Sequence, residues 1–221
     1  MKNAIPTPPS TPRPGPPGGV ADRIAERTLA RRGQDYSSEV RRLLDAGLEV
    51  MRACGTTSRP RVADIVAAAG LSNDAFYRHF ASKDALVAAL LEEGTERLTG
   101  YLTHRMEAEP TPEGRVRRWV EGILAQAADE DVAAATLAVL WNAGSVGVGE
   151  AAGPPSASAP LAGVVEGVFV ELGSTDPALD ASLAAHAVVG VLSDHLWRRT
   201  RPTAEDTRRI VAACLAIAIA T

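Results

Sequence analysis

The pattern of apolar and polar positions in the middle of the chain predicts two short helices joined by a tight turn. The apolar residues of the first helix recur at the i, i+3, i+4, i+7 spacing of one helix face. They are Val62, Ile65, Val66 and Ala69. Gly70 ends this helix, because glycine readily adopts the left-handed conformation of a helix C-terminus. Ser72 then caps a second helix, whose buried face holds Phe76 and Phe80.

Helical patterns also cover most of the remaining chain, and beyond Pro110 no convincing alternation of period two indicates a strand. A first domain helix is predicted to begin at Ser37 and to end near Gly55, and Ser82 caps a long helix to about Met106. Later helices are predicted at 113–129, 131–143 and 161–172, from the cap Asp176 to about 199, and at 204–220, with a Gly-, Ser- and Pro-rich loop at 144–160. The helix at 131–143 is apolar almost all round, which predicts a central position.

Composition indicates a soluble, cytoplasmic protein. The 221 residues are 46% hydrophobic, yet no run approaches the ~20 apolar residues of a membrane span. The N-terminus offers no apolar signal core, so no secretion is implied. Cys54 and Cys214 are far apart and at neither metal-ligand nor CxxC spacing, so we expect small buried residues of a reduced protein.

Charge is unevenly distributed, although the whole chain carries a net −4. Residues 1–90 contain 13 lysines and arginines against 9 acidic residues, a balance of +4, whereas residues 91–221 contain 10 against 18, a balance of −8. A basic front end on an acidic body is typical of a DNA-binding domain joined to a domain of another function.

Four regions follow from these patterns. Residues 1–19 hold seven prolines and are expected to form a disordered tail. Residues 20–36 form a basic arm with Arg23, Arg27, Arg31 and Arg32. This arm is either a solvated helix with i,i+4 charge pairs or a segment whose arginines meet DNA. Residues 37–82 form a helix-turn-helix domain, and residues 83–221 form a C-terminal domain.

Three motifs resemble the signature of TetR-family transcriptional regulators: Ala69-Gly70-Leu71-Ser72, Phe76-Tyr77-Arg78-His79-Phe80 and Ser82-Lys83-Asp84-Ala85-Leu86. The resemblance extends from roughly Val40 to Leu91. It implies an all-α homodimer, with an N-terminal three-helix helix-turn-helix DNA-binding domain and a C-terminal helical domain for ligand binding and dimerisation. In such proteins a small-molecule effector releases the operator.

The sequence departs from this family pattern at two positions. Many members have a Thr cap where this chain has Arg61, so Ser58 or Arg59 is expected to open the helix earlier, with Pro60 in the first turn. Members often have Gly or Pro where this chain has Asp74. That carboxylate either stabilises the helix dipole or accepts a hydrogen bond from a cytosine amino group.

The resemblance places a DNA-reading surface on the second helix of the motif. Asn73 is the best-placed base reader, because its amide can pair bidentately with adenine, and Arg78 is expected to meet guanine or a phosphate. The phosphate contacts are assigned to Arg61, Tyr77, His79 and Lys83, and Ser72 and Asp74 complete the set. Alternatively, Tyr77 and His79 only cover the surface of the domain. Two copies would read a roughly palindromic operator in double-stranded DNA, with centres about 34 Å apart or at a multiple of that spacing.

The last two helices are predicted to join two copies in a four-helix bundle, because they hold more apolar residues than one small domain can bury. The residues in question are Ala184, Ala185, Val188, Val189, Val191, Leu192, Ile210, Val211, Cys214, Leu215, Ile217 and Ala218. The alternative is that they form only the core of one chain.

The effector site is less evident. Five residues lie on helices that in relatives surround a ligand pocket: His104, Trp119, Trp141, Asn142 and Phe169. A Trp on a helix face more often belongs to an ordinary core. We expect no metal and no cofactor, and the chain lacks GxSxG, HExxH and phosphate-loop motifs of enzymes. The second hypothesis is a helical small-molecule or partner-binding protein of the same fold that does not read DNA.

Overall fold

The computed structural model of the protein describes residues 19–143 and 157–219, and within these ranges every regular element is helical. The helices are α1 (Val20–Cys54), α2 (Val62–Ala69), α3 (Asn73–His79), α4 (Lys83–Glu107), α5 (Pro112–Leu124), α6 (Glu130–Ala143), α7 (Ser158–Glu171), α8 (Pro177–Arg198) and α9 (Ala204–Ile219), with a 3₁₀ turn at Ala125–Ala127. The predicted all-α class is confirmed. None of these helices has the length and hydropathy of a membrane span. The predicted tail, apart from Gly19, and most of the predicted loop at 144–160 lie outside the described residues.

The chain divides into two compact units, residues 1–40 and residues 41–221. In the first unit, the side chains from Asp22 to Ser38 are all exposed. The prediction that the first domain helix begins at Ser37 is wrong, because α1 begins at Val20. Gly33 disfavours a helix by only ~1 kcal/mol relative to Ala, and its Arg, Ala and Gln neighbours are good helix formers, so one glycine does not end the helix.

In the second unit, the C-terminal half of α1 forms a small core with α2, α3 and the start of α4. The largest fully buried side chains of this core are Leu43, Met51, Ile65, Phe76 and Leu86. A Cβ atom at Gly47 would lie 2.7 Å from Cδ2 of Leu86, so α1 approaches α4 closely at this point. The two short helices α2 and α3 are therefore stabilised by packing against α1 and α4, since helices of this length are not stable by themselves.

A larger core surrounds α5, which contacts α4, α7, α8 and α9. The face predicted for this helix is confirmed, since each of its apolar residues is at most 2% exposed: Val116, Trp119, Val120, Ile123 and Leu124. The indole Nε1 of Trp119 donates a hydrogen bond to the carbonyl of Leu161 at 3.1 Å. This bond joins α5 to α7 inside the core.

Helix boundaries differ from the sequence predictions at four places. Thr111 caps α5 with Pro112 in its first turn, and α5 ends at Leu124 rather than continuing to Asp129. The α7 helix begins at Ser158, inside the predicted loop. Arg61 is the N-cap of α2 and Pro60 precedes it, so the earlier start expected from Ser58 or Arg59 is wrong. The described part of the chain confirms the caps Ser72, Ser82 and Asp176.

Burial corrects two expectations about the C-terminal domain. The α6 helix is not central, because Val132 and Trp141 are 39% and 38% exposed. Most of the residues assigned to a dimer surface in α8 and α9 are instead buried within one chain, because the domain is large enough to enclose them: Ala184, Ala185, Val188, Leu192, Val211, Cys214 and Ala218. The burial of Cys214 raises the pKa of its thiol to about 11, as expected for an inert core residue.

Candidate functional site

The turn between α2 and α3 is fixed by backbone hydrogen bonds and one glycine. Gly70 adopts φ 62° and ψ 37°, the left-handed region that favours glycine. Its N–H donates to the carbonyl of Ala67 at 3.2 Å, and the N–H of Leu71 donates to the carbonyl of Val66 at 2.9 Å. These bonds close the C-terminus of α2 and set the direction in which the chain enters α3.

Arg42 supports the same turn from α1. Its Nη2 donates to the carbonyl of Ala69 at 2.5 Å and to the carbonyl of Gly70 at 3.1 Å. The sequence analysis missed this residue, because its partners lie 27 and 28 positions away and no local pattern marks them. Arg42 therefore positions the helix-turn-helix without belonging to its motif.

The α3 helix has one buried and one exposed face. The Ser72 hydroxyl accepts a hydrogen bond from the N–H of Ala75 at 3.1 Å, which caps the helix. Phe76 and Phe80 are 0% and 8% exposed, and their ring centroids are 5.8 Å apart. The predicted reading residues Asn73, Asp74, Tyr77 and Arg78 are all exposed. The helix therefore presents an amide, a carboxylate, a phenol and a guanidinium on one outward surface.

Arg61 is exposed, but its side chain is already paired. Its Nε and Nη2 each donate to the Asp64 carboxylate at 2.9 Å, across the first turn of α2. These side-chain hydrogen bonds lower the pKa of Asp64 and raise the pKa of Arg61. Asp64 takes one N–H of Nε and one of Nη2, so the second N–H of Nη2 and both N–H groups of Nη1 remain for a phosphate.

His79 and Lys83 are half-buried, unlike the four outward residues of α3. Lys83 is the first residue of α4, next to the cap in which the Ser82 hydroxyl accepts from the N–H of Ala85 at 3.1 Å. The free N–H groups of a helix N-terminus favour an anion. His79 and Lys83 thus lie at the edge of the α3 surface rather than on it.

A cavity of about 490 Å³ lies in the C-terminal domain, between the end of α1 and helices α4, α6, α7 and α8. Its walls are largely aliphatic, as in Leu48, Leu90, Leu98, Val139, Leu161 and Leu192. Polar groups are contributed by Arg52, Thr95, Arg97, Tyr101, Gln126 and Asp131. A mostly apolar cavity with a few polar groups is typical of a small-molecule site.

The five predicted effector residues are not brought together. Trp119 and Phe169 are fully buried in the core, and the Nδ2 group of Asn142 donates to the carbonyl of Ala138 at 2.8 Å. His104 lies on an exposed groove between α4 and α7, and Trp141 lies in a cleft between α6 and α8. None of the five lines the 490 Å³ cavity. Sequence periodicity placed them on helices but carried no information on which helices enclose space.

The helix-turn-helix region of the chain matches a known protein family. Residues 43–90 match the family of bacterial regulatory proteins known as the tetR family. No curated protein matches the sequence. Residues 43–90 contain the buried core of α1 to α4 and the whole exposed surface of α3, so the family match includes the surface predicted to read DNA.

Solved structures similar to the whole chain share its fold at low sequence identity. A TetR-family transcriptional regulator from Pectobacterium atrosepticum is 21% identical, with 83% of this chain and 91% of that chain covered and a TM-score of 0.56. NemR of E. coli in its reduced form is 16% identical, with 79% and 95% covered and a TM-score of 0.60. FadR from Bacillus subtilis, solved in complex with stearoyl-CoA, is 16% identical, with 80% and 95% covered and a TM-score of 0.51.

Residues 43–90 thus match the tetR family, and the chain shares its fold with a solved TetR-family transcriptional regulator. The resemblance seen in the sequence motifs is confirmed.

Proposed function

We propose that the protein is a sequence-specific transcriptional repressor that binds its operator as a homodimer, in the cytoplasm, and releases it when a small molecule binds. The observation that carries this proposal is the outward face of α3. Asn73, Asp74, Tyr77 and Arg78 are exposed, while Phe76 and Phe80 anchor the helix in the domain. A short helix held in this way can enter a major groove.

Base reading is assigned to Asn73 and Arg78. The Asn73 amide can pair with the N6 and N7 groups of adenine, and the Arg78 guanidinium can pair with O6 and N7 of guanine. Ser72 keeps its capping role, and Asp74 either supports the helix dipole or accepts a hydrogen bond from a cytosine amino group. Sequence discrimination then comes from a few base pairs under each α3.

Phosphate contacts are assigned to Tyr77, His79, Lys83 and Arg61. Such contacts fix the register of the protein on DNA without reading sequence. We extend the assignment to the basic arm, residues 20–36, whose arginines are all exposed. Replacing Arg23, Arg27, Arg31 and Arg32 with Gln is expected to reduce the salt dependence of binding, because each phosphate contact contributes about one unit of slope.

Dimerisation is assigned to the faces of α8 and α9 that remain exposed. Leu179 and Leu183 on α8 are 54% and 50% exposed, and exposed small residues follow them on α8 and occur on α9: Ala187, Gly190, Ala212, Ala213 and Ala216. Small side chains let helices approach closely in a bundle. The dimer would present two α3 helices to a roughly palindromic operator.

The 490 Å³ cavity is the proposed effector site. Its largely aliphatic walls favour an apolar molecule, and its arginines favour an acidic group at one end. Arg52 at the end of α1 donates to the Asp131 carboxylate of α6 at 2.8 Å, beside this cavity. An effector that disturbs this pair would act on the helix that carries the turn contact of Arg42. Stearoyl-CoA, bound by the Bacillus subtilis relative, is the first probe for a thermal-shift measurement.

The experiment that tests DNA reading is a mobility shift with the DNA upstream of the protein's own gene. Asn73→Ala and Arg78→Ala are each expected to weaken binding about tenfold or more, with an unchanged circular dichroism spectrum. Arg117→Gln is the matched control, since Arg117 is an exposed cation on α5. Wild-type affinity in both α3 variants would overturn the proposal, as would binding with no salt dependence at all.

Assembly is tested by analytical ultracentrifugation. The full chain is expected to sediment at twice the 23.1 kDa of one copy, and Leu183→Glu is expected to sediment as a monomer. A wild-type monomer at operator-binding concentrations would contradict the dimeric part of the proposal.

A further inference from the structure

A second cleft lies between α6 and α8, outside the effector cavity described above. It has a volume of about 670 Å³ and contains Trp141, Trp197, Ser193 and three leucines, with Arg59 contributed by the loop before α2. Its two indole rings meet edge to face, with centroids 5.3 Å apart and an interplanar angle of 81°. Neither the proposed DNA contacts nor the proposed effector site uses the two tryptophans, Ser193 or Arg59, although Leu140 lines both this cleft and the 490 Å³ cavity.

Exposure distinguishes this aromatic pair from an ordinary core. Trp141 and Trp197 are 38% and 51% exposed, whereas Trp119 in the core is fully buried. Large exposed aromatic surface next to polar groups marks interaction sites. The cleft therefore offers two indole surfaces to a ligand while the leucines close its floor.

Charge decides which ligand fits. Arg59 makes no hydrogen bond or ion pair with any other part of the described chain, so its guanidinium is available. This positive group disfavours a cation between the indoles and favours an anion, to which guanidinium can donate two parallel hydrogen bonds. The half-buried Ser193 hydroxyl adds a further donor.

We propose that this cleft binds a planar aromatic carboxylate, whose ring packs against Trp141 and Trp197 and whose carboxylate pairs with Arg59. The site adjoins the 490 Å³ cavity at Leu140 but differs from it in the groups that bind the ligand, since Trp141, Trp197 and Arg59 do not line that cavity. The proposal does not depend on DNA binding.

The test uses the full chain, naphthalene-2-carboxylate as the probe, and two matched compounds. Naphthalene-2-carboxamide keeps the ring without the charge, and cyclohexanecarboxylate keeps the charge without the planar ring. Isothermal titration calorimetry is expected to show saturable binding of the naphthoate and at least about tenfold weaker binding of each analogue. Naphthoate is also expected to protect tryptophan emission from acrylamide quenching, because the two exposed indoles become covered.

Three variants locate the site. Arg59→Gln and Trp197→Leu are each expected to weaken naphthoate binding about tenfold, whereas Arg117→Gln, an exposed cation on α5, is expected to bind as wild type. Arg59→Gln should still shift operator DNA, which separates this proposal from the proposed function. If Trp197→Leu fails to fold, the three compounds on the wild-type protein still decide.

Several outcomes would overturn the proposal: no saturable binding of naphthoate, equal binding of the carboxamide, or undiminished binding by Arg59→Gln. If naphthoate does not bind and acrylamide quenching of tryptophan emission decreases as the protein concentration rises, the cleft is instead assigned to contact with a second copy.

Discussion

Hydrogen bonds within the helix-turn-helix motif span a few positions of the chain, whereas the side-chain hydrogen bond that joins α5 to α7 spans many. Around α3, the Ser72 hydroxyl meets the N–H of Ala75, and Arg61 pairs with Asp64, each across three residues. Around α5, Trp119 binds the carbonyl of Leu161 across 42 residues. Short-range contacts can be predicted from local sequence patterns, whereas long-range contacts depend on how the helices pack.

The largest loss of folding stability is expected when a buried side chain of the α5 core is truncated. Trp119→Ala should lower the free energy of unfolding by about 3–5 kcal/mol, because it leaves a cavity and removes the buried hydrogen bond to Leu161. Urea denaturation followed by circular dichroism measures the loss. Trp197→Ala makes the same chemical change at a half-exposed site and should cost much less. Equal losses at the two positions would refute the assignment of Trp119 to the core.

A smaller loss is expected at the turn of the DNA-binding domain. Gly70→Ala should cost about 1–2 kcal/mol, because an L residue is strained at φ 62°. A Cβ atom at this position would also lie 3.0 Å from Nη2 of Arg42. Gly100→Ala in α4, where a Cβ meets nothing within 4 Å, should instead stabilise the chain by about 0.5–1 kcal/mol. Thermal or urea unfolding that gives both changes the same sign would contradict this account.

The smallest effects are expected at two ion pairs, one from each region. Side-chain hydrogen bonds lower the pKa of Asp64 beside Arg61 and the pKa of Glu171 beside Arg115, which lies 56 positions away. A carboxylate with a lowered pKa in the folded state stabilises the fold at neutral pH. Its contribution is lost as pH falls from the ordinary carboxyl range through the folded-state value.

Carboxyl titration by NMR checks these pairs with two variants. Arg61→Gln should raise the pKa of Asp64 toward its ordinary value and leave Glu171 unchanged, and Arg115→Gln should do the reverse. A shift of both carboxyl groups in either variant would show that the two regions are coupled through more than these local pairs.

The sequence predicted most of what is decided locally. The α2 and α3 helices, the Ser72 and Ser82 caps and the buried pair Phe76 and Phe80 follow from spacing and capping chemistry within a few residues. The buried face of α5 was also predicted, because apolar periodicity identifies the buried face of a helix even though it does not identify the helix that packs against it.

The sequence did not predict how the helices pack against one another or which of them enclose a cavity. Periodicity could not show that α8 and α9 bury their apolar faces within one chain, since that depends on the size of the enclosing domain. It also could not show that Arg42 reaches the carbonyls of Ala69 and Gly70, or that Trp141 lies outside the 490 Å³ cavity. The continuous α1 was missed for another reason: Ser37 is a plausible helix cap in the sequence, and nothing local shows that the helix continues through it.

The most direct measurement of the central claim is selection of DNA sequences from a random pool by the wild-type protein and by Asn73→Ala. The account predicts a roughly palindromic preference for the wild type and a preference relaxed at one base pair of each half-site for the variant. An unchanged preference in Asn73→Ala, or no preference in the wild type, would contradict the claim that the exposed face of α3 reads bases.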